Sequence, residues 1–318
     1  MEQKIKFELS KFITEFCAFG HRQLEQETQA ANYIRSLLQN HNIQLKEQKF
    51  STEIPLFKTA TLTADGESIP AIATCFVSGK ISGKDNIISS LISSQRFIDD
   101  PNINFNPSCK GISRSNHYFA PSVAVAPKDI AKICAAKEVE GIVEVEQHTH
   151  ESINFLVGNI NNPQSILLGH YDSVGPGATD NAAGTAVLLK LIIDHPTLLE
   201  KNLFVIAGNE ELSYDYPIYW GHGYRAFEEI FSSQLDQAKK ILVVDCVGNG
   251  PTTISQDPHL VHIGFPIKKS AALKEKISMI YGNFEKLMEV YQSDLDTAEN
   301  VTEEHMQDAT NKILSLVQ

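Results

Sequence analysis

SILLGHYDSVGPGATDNAAGTAVLLKLIID, residues 165–194, joins a short apolar run, a loop rich in Gly and polar residues, and a second apolar run long enough for a helix. The run at 166–168 does not alternate with polar residues, as expected of a strand buried on both faces. The same order returns in NLFVIAGNEE (202–211), in a helix expected over 223–231, and in KKILVVDCVG (239–248). Strand, loop and helix in repetition describe an α/β chain with an open, mostly parallel central sheet between two helical layers.

Working outward, two helices are expected before the first strand. Ile5, Leu9, Phe12, Ile13 and Phe16 recur at helical spacing, as do Ala30, Ala31, Ile34, Leu37 and Leu38, and QLKEQKF (44–50) then reads as a strand. The texture changes at 51–151: TATLTADGESI (59–69) alternates around Asp65 and Gly66 like a hairpin, and a Ser-, Asn- and Pro-rich loop is expected over 93–121. Residues 1–50 and 152–318 therefore read as one domain, and 51–151 as an inserted or auxiliary module. An amphipathic helix through Met306, Ala309, Ile313 and Leu316 closes the chain.

With 318 residues, 42% of them hydrophobic, the chain can bury a large core. A net charge of −12 without a Lys or Arg block leaves no electrostatic footprint for nucleic acid or an anionic membrane. No apolar run reaches the roughly 18 residues of a membrane span. The first helix is interrupted by charges, unlike a signal peptide, and five scattered cysteines suggest no disulfide framework. A cytoplasmic setting is the simplest expectation; export without a cleaved signal would look the same.

Each buried run ends in residues that bind metals. His170 and Asp172 follow the first, Glu210 and Glu211 the second, Asp245 the third, and Asp180 ends the loop before the first helix. The carboxyl ends of strands in such sheets form the binding crevice, so these positions should converge. One imidazole among several carboxylates suits a divalent cation. Taken singly, Asp180 could be a helix N-cap, the Glu pair solvated acids and His170 a hydrogen-bonded core residue. Capping does not explain acids or histidine at the end of every buried strand. In HYD, side chains two apart share a strand face, so Asp172 could orient the His170 ring; in EE, adjacent side chains diverge, so one Glu could ligate metal and the other act as a base.

GHYDSVGPGATDNAAG (169–184), AGNEEL (207–212), VVDCVG (243–248) and YQSDLDTAEN (291–300) resemble the motif set of the co-catalytic zinc aminopeptidases of metallopeptidase family 28, which also contains glutaminyl cyclases and carboxypeptidase-like members. FGHRQLEQETQAANYIRSLLQNHNI (19–43) resembles the family's opening helices and INFLVGNI (153–160) the strand entering its core, whereas 51–151 matches loosely. The resemblance implies that Asp180 bridges two zinc ions, with His170 and Asp245 completing one site and Glu211 plus a histidine the other. It makes Glu210 the general base and Asp172 the partner of His170.

That last histidine is Gln292 here, four residues before Asp296. An amide oxygen is a far weaker zinc ligand than imidazole, so the second site is expected to be weak, or to take Mn²⁺ or Mg²⁺. His262, on an expected strand, and His305, on the closing helix, are the candidates for a replacement nitrogen. The expected activity is a zinc aminopeptidase cleaving peptides or small amides through a metal-bound water and Glu210. Two alternatives stand beside it: glutaminyl-cyclase-like acyl transfer, and an impaired member that binds peptides. Tyr214, Tyr216, Tyr219 and Trp220 either wall an aromatic pocket or pack as a loop core. The oligomeric state is open, with 51–151 read as a dimerisation arm, a lid or decoration.

Overall fold

The structure is a computed structural model that describes residues 6–91 and 97–318. Helices α1 (Leu9–Cys17) and α2 (Glu25–Asn40) precede the first strand, β1 (Lys46–Ala64). Of the first helical stripe, Ile5 lies outside the described residues; Leu9, Phe12, Ile13 and Phe16 are buried on α1. Asp65 and Gly66 turn β1 into β2 (Glu67–Ser68), with Thr63 opposite Ser68 as an antiparallel hairpin.

Short strands β3 (Ala71–Ala73), β4 (Gly79–Ser82), β5 (Ile87–Ser89), β6 (Asn102–Phe105) and β7 (Ser122–Val125) follow, then α3 (Pro127–Ala135). The expected loop over 93–121 therefore contains a strand, while 92–96 lie outside the described residues. Strand β6 escapes a hydrophobicity reading because Asn102 and Asn104 are buried polar residues. Both bond to Ser122, and the Asn104 amide N–H also donates to Thr74 at 2.8 Å, so these polar side chains are held by hydrogen bonds inside the sheet. Strands β3, β7, β6 and β5 form a separate four-stranded sheet, in that order. With α3 it covers a small core of its own that includes Leu62, Ile81, Ile103, Val123, Ile133 and Val143.

Strand β8 (Val139–Gly158) pairs antiparallel with β1 from Lys46 opposite Leu156 to Ala64 opposite Val139. Its inner end pairs with β10 (Asn202–Ala207), which lies parallel to β9 (Ser165–His170). Next come β11 (Lys240–Val244), parallel to β9, and β13 (Ile277–Tyr281), parallel to β11, with β12 (Thr253–Ser255) antiparallel at the edge. The four central strands are thus parallel.

Every residue of β9 and β10 is buried, and their side chains alternate between two cores. Leu167, Phe204 and Leu242 face α1, α2, α4 (Ala183–Asp194) and α9 (Glu303–Val317). Ile166, Leu168, Val205 and Ile241 face α5 (His222–Gln237) and α6 (Pro258–Gly264). This is the three-layer arrangement that the apolar runs imply.

The segment HLVHIGF departs from expectation. It is helix α6, started by Pro258 and capped by the Asp257 carboxylate, which accepts the N–H of His259 and Leu260. His262 is exposed on it. Among the described residues no helix is long and apolar enough to cross a membrane.

Candidate active site

The loops leaving the carboxyl ends of β9, β10 and β11 meet as the sheet topology requires. His170 is the last residue of β9, and its Nε2 lies 3.3 Å from Asp180 and 3.5 Å from Asp245. Its Nδ1 faces Asp172, 3.2 Å from the carbonyl and 3.5 Å from the carboxylate. Glu211 brings a ligand atom within 4.8 Å of those of His170 and Asp180. Glu210 lines the same cavity of about 60 Å³, together with Asp180, Glu211, Asp245, Gln292 and Trp220. All seven residues singled out from the sequence are therefore at this site. A larger groove beside His41 and Asp194 lies at the far ends of α2 and α4, away from the strand ends.

Asp172 does more than orient imidazole. Its carboxylate accepts the backbone N–H of Glu210 at 2.9 Å and of Glu211 at 3.0 Å, and the Gln23 amide at 3.0 Å. One buried carboxylate thus fixes the histidine and the backbone of the Glu pair together. No sequence signal marks Gln23, because its role depends on where α2 begins against the β9 loop.

Asp180 is not the helix cap. That work falls to Asn181, whose Oδ1 accepts the Gly184 N–H at 3.1 Å and whose amide donates to the Val244 carbonyl at 2.9 Å. Gly184 is required there, since a Cβ would sit 2.1 Å from Asn181 Oδ1. Asp180 is held from behind: Asp296 accepts the backbone N–H of Thr179 at 3.0 Å and of Asp180 at 3.1 Å. The carboxylate of Asp180 is left to face His170.

Gln292 reaches the site. Its Nε2 donates to Glu211 Oε2 at 2.6 Å, and its backbone carbonyl accepts the Arg114 N–H at 2.9 Å. The remaining oxygens, Glu211 Oε1 and Gln292 Oε1, are buried without a hydrogen-bond partner among the described residues. Three site loops carry non-glycine residues in the left-handed region: Asn209 (φ 49), Cys246 (φ 55) and Gln292 (φ 46). Such conformations cost about 1–3 kcal/mol and cluster at functional sites.

The electrostatics are those of too many acids around one base. Burial foremost, then the charge of Asp180, hold Glu211 well above its ordinary value. Burial, with Asp245, Asp172 and Asp180 adding and His170 opposing, pushes Glu210 up to about 8. Burial also raises Asp180, against the hydrogen bond from His170. For His170, burial disfavours the cation, but hydrogen bonds with Asp172, Asp180 and Asp245 outweigh it and carry the imidazole well above 6.5. Excess buried negative charge and orphaned carbonyl-type oxygens are the chemistry a divalent cation relieves. The nitrogen and oxygens of His170, Asp180 and Asp245 fit zinc; Glu211 and Gln292 offer oxygen alone.

Tyr219 is buried and packs against Phe76, His117 and Trp220, while Tyr216 is 67% exposed. The aromatic loop is thus mainly a packing core under segment 51–151. Trp220, which donates to the Ile263 carbonyl at 2.7 Å, also reaches the cavity wall. Segment 51–151 supplies a wall residue that sequence reasoning missed, Ser115. His305 is half-buried on α9; neither it nor His262 joins the cluster of metal-binding atoms.

The mostly parallel sheet, with acids and one histidine gathered at its strand ends, has the fold of zinc aminopeptidases of known structure. Residues 156–256, which carry His170, Asp172, Asp180, Glu210, Glu211 and Asp245, match the model of peptidase family M28. The chain is similar in structure to a zinc aminopeptidase from Bacillus subtilis, at a TM-score of 0.69 and 16% identity, covering 99% of this chain and 95% of that one. It is also similar to an aminopeptidase from an Aneurinibacillus strain, at a TM-score of 0.62 and 15% identity over 98% and 94% of the two chains. A glutaminyl cyclase from an Acidobacteriales bacterium follows, at a TM-score of 0.54 and 13% identity over 100% and 96%. No curated protein matches the chain in sequence.

Proposed function

We propose that this chain is a zinc-dependent aminopeptidase that removes amino-terminal residues with bulky apolar side chains. The observation that carries the reading is a second cavity, about 320 Å³, that shares Asp245, Cys246, Ser115 and Tyr291 with the acidic one. Ile263 also lines both, and Leu260, Met279, Phe284, Leu287 and Met288 line the apolar cavity alone. An apolar cavity of this size takes a Leu, Met or Phe side chain. The acids at its mouth favour the ammonium of a free amino terminus.

His170, Asp180 and Asp245 would hold one zinc, and Glu211 with Gln292 a second, weaker cation of the oxygen-preferring kind. Bound there, zinc supplies Lewis acidity toward the scissile carbonyl and the attacking water. Glu210, which lines the acidic cavity, would take a proton from that water and return it to the leaving amine. Asp172 keeps the Glu pair and the imidazole in register. Ser115 and Trp220 narrow the cavity and limit bulk water.

The test is a panel of aminoacyl amides and an N-terminal glutaminyl peptide, assayed with zinc-loaded protein. Amine release from Leu, Met and Phe substrates well ahead of Gly and Asp is the expected result. Pyroglutamyl product would replace hydrolysis by acyl transfer, and binding without turnover under every metal would leave a peptide-binding protein.

A further inference from the structure

The metal-binding reading above leaves one side chain unused. Cys246 follows Asp245 directly, and its Sγ lies 3.2 Å from Asp245 Oδ1. Adjacent side chains ordinarily diverge, but the left-handed backbone at Cys246, φ 55, turns the thiol back to the side of the preceding carboxylate. Asp180, Asp245 and Cys246 consequently place an oxygen, an oxygen and a sulfur within 4.8 Å of one another. Cys246 lines both the acidic cavity and the apolar one beside it. Into the acidic cavity project Glu211 and Gln292, each nine-tenths buried or more and each with one oxygen that has no partner among the described residues. The sulfur therefore stands in a donor cluster whose acids outnumber the one imidazole, His170, that faces them, beyond the packing role of an ordinary buried cysteine.

We infer that Cys246 is a further ligand of this site, a thiolate donor to the cation held by Asp180 and Asp245, its proton passing to solvent as the cation enters. The inference rests on the metal-binding reading and adds a soft donor to it. Where the Gln292 side offers oxygen alone, the Asp245 side would then offer nitrogen, oxygen and sulfur. Such a set favours zinc, cadmium or cobalt over Mg²⁺ and Mn²⁺. It also makes the centre open to oxidants, because a sulfur oxidised past the thiolate no longer ligates.

Cobalt reports on this directly. Metal-free protein reconstituted with Co²⁺ should show a thiolate-to-cobalt charge-transfer band in the near ultraviolet. Cys246→Ser and Cys246→Ala should lose that band and bind Zn²⁺ more weakly by at least about 10-fold, the lower bound for loss of even an outer-shell partner. Maleimide labelling read by peptide mass needs no variant: zinc should protect Cys246 and leave the exposed Cys134 unchanged. Cobalt bound at full stoichiometry without the band, or labelling of Cys246 unaffected by zinc, would overturn the thiolate and spare the metal-binding reading. Failure to bind Co²⁺ or Zn²⁺ at all would overturn both.

Discussion

On one side of Asp180 stand His170 and Asp245, one ending a central strand and the other following one directly. On the other stand Glu211 and Gln292, and the second of these hangs on a loop held from outside the catalytic sheet. Ser113 donates to the Tyr291 carbonyl at 2.6 Å, Asn106 to the Met288 carbonyl at 2.9 Å, and Arg114 to Asp294 at 3.0 Å. The first side is positioned by parallel strands buried on both faces, so its geometry follows from the core. The Gln292 loop is positioned by polar contacts between segments more than 170 residues apart, and Gln292 stands where the family resemblance implies a histidine. The half of the site fixed by the core takes its geometry from the same strands that make the fold, whereas the loop half depends on contacts that the core does not require.

The largest expected effect removes the difference altogether. Asp180→Ala should empty both sides, with zinc in dialysed protein falling to background and turnover disappearing; metal analysis on the folded variant decides it. Retention of one zinc would show that the His170 side stands without the shared carboxylate.

Glu210→Gln should separate chemistry from ligation. Turnover should fall by about 10²- to 10⁴-fold, the usual worth of a general base, with zinc content unchanged. A parallel loss of zinc would move Glu210 into the ligand set and exchange its role with that of Glu211.

Gln292→His sharpens the contrast from the weak side. Imidazole opposite Glu211 should raise zinc stoichiometry from one toward two and increase the hydrolytic rate, measured by titration and steady-state assay. Two tight zincs in the unaltered protein would mean that the side held by the loop is already complete.

The smallest effect concerns the outer wall of that side. His117 is buried, neither ring nitrogen has a hydrogen-bond partner among the described residues, and burial followed by the charge of Arg114 lowers it to about 3. The unfolded chain takes a proton on this residue near pH 6.5, and the folded protein does not until about 3. Stability should therefore be intact above pH 6.5 and decline as pH falls from there toward 3. The slope owed to His117 is about 1.4 kcal/mol per pH unit. His117→Phe, placed among Phe57, Phe76 and Tyr219, should flatten the profile by that amount in urea unfolding of metal-free protein. An unchanged slope would locate the acid sensitivity elsewhere, with His21, also lowered to about 3 by burial, as the next residue to replace.

The catalytic sheet was legible because parallel central strands leave uninterrupted apolar runs, and the acids stood out because they ended those runs. The outlying sheet was not: strand β6 buries Asn102 and Asn104, whose hydrogen bonds make them tolerable inside and invisible to a hydrophobicity reading. Helix α6 was missed although Asp257 and Pro258 mark its start, because alternation in HLVHIGF resembled a strand. Gln23 and Ser115 could not be found from local pattern, since Gln23 bonds to Asp172 far along the chain and Ser115 reaches the cavity only through the fold. Cys246 was in view within VVDCVG, but only the left-handed turn after β11 brings its sulfur toward Asp245.

Strands β1 and β8 remain paired from the catalytic sheet out to the second one, with a single shift of register between Phe57 and Thr59. Anything that lengthens one of them by an odd number of residues would turn every side chain beyond it to the opposite face. The ribbon is therefore constrained by parity: paired or even-numbered changes of length keep its faces, and a lone insertion or deletion must be absorbed at the bulge. The outlying sheet cannot vary in length as freely as an ordinary surface loop, although nothing in its own composition announces that restriction.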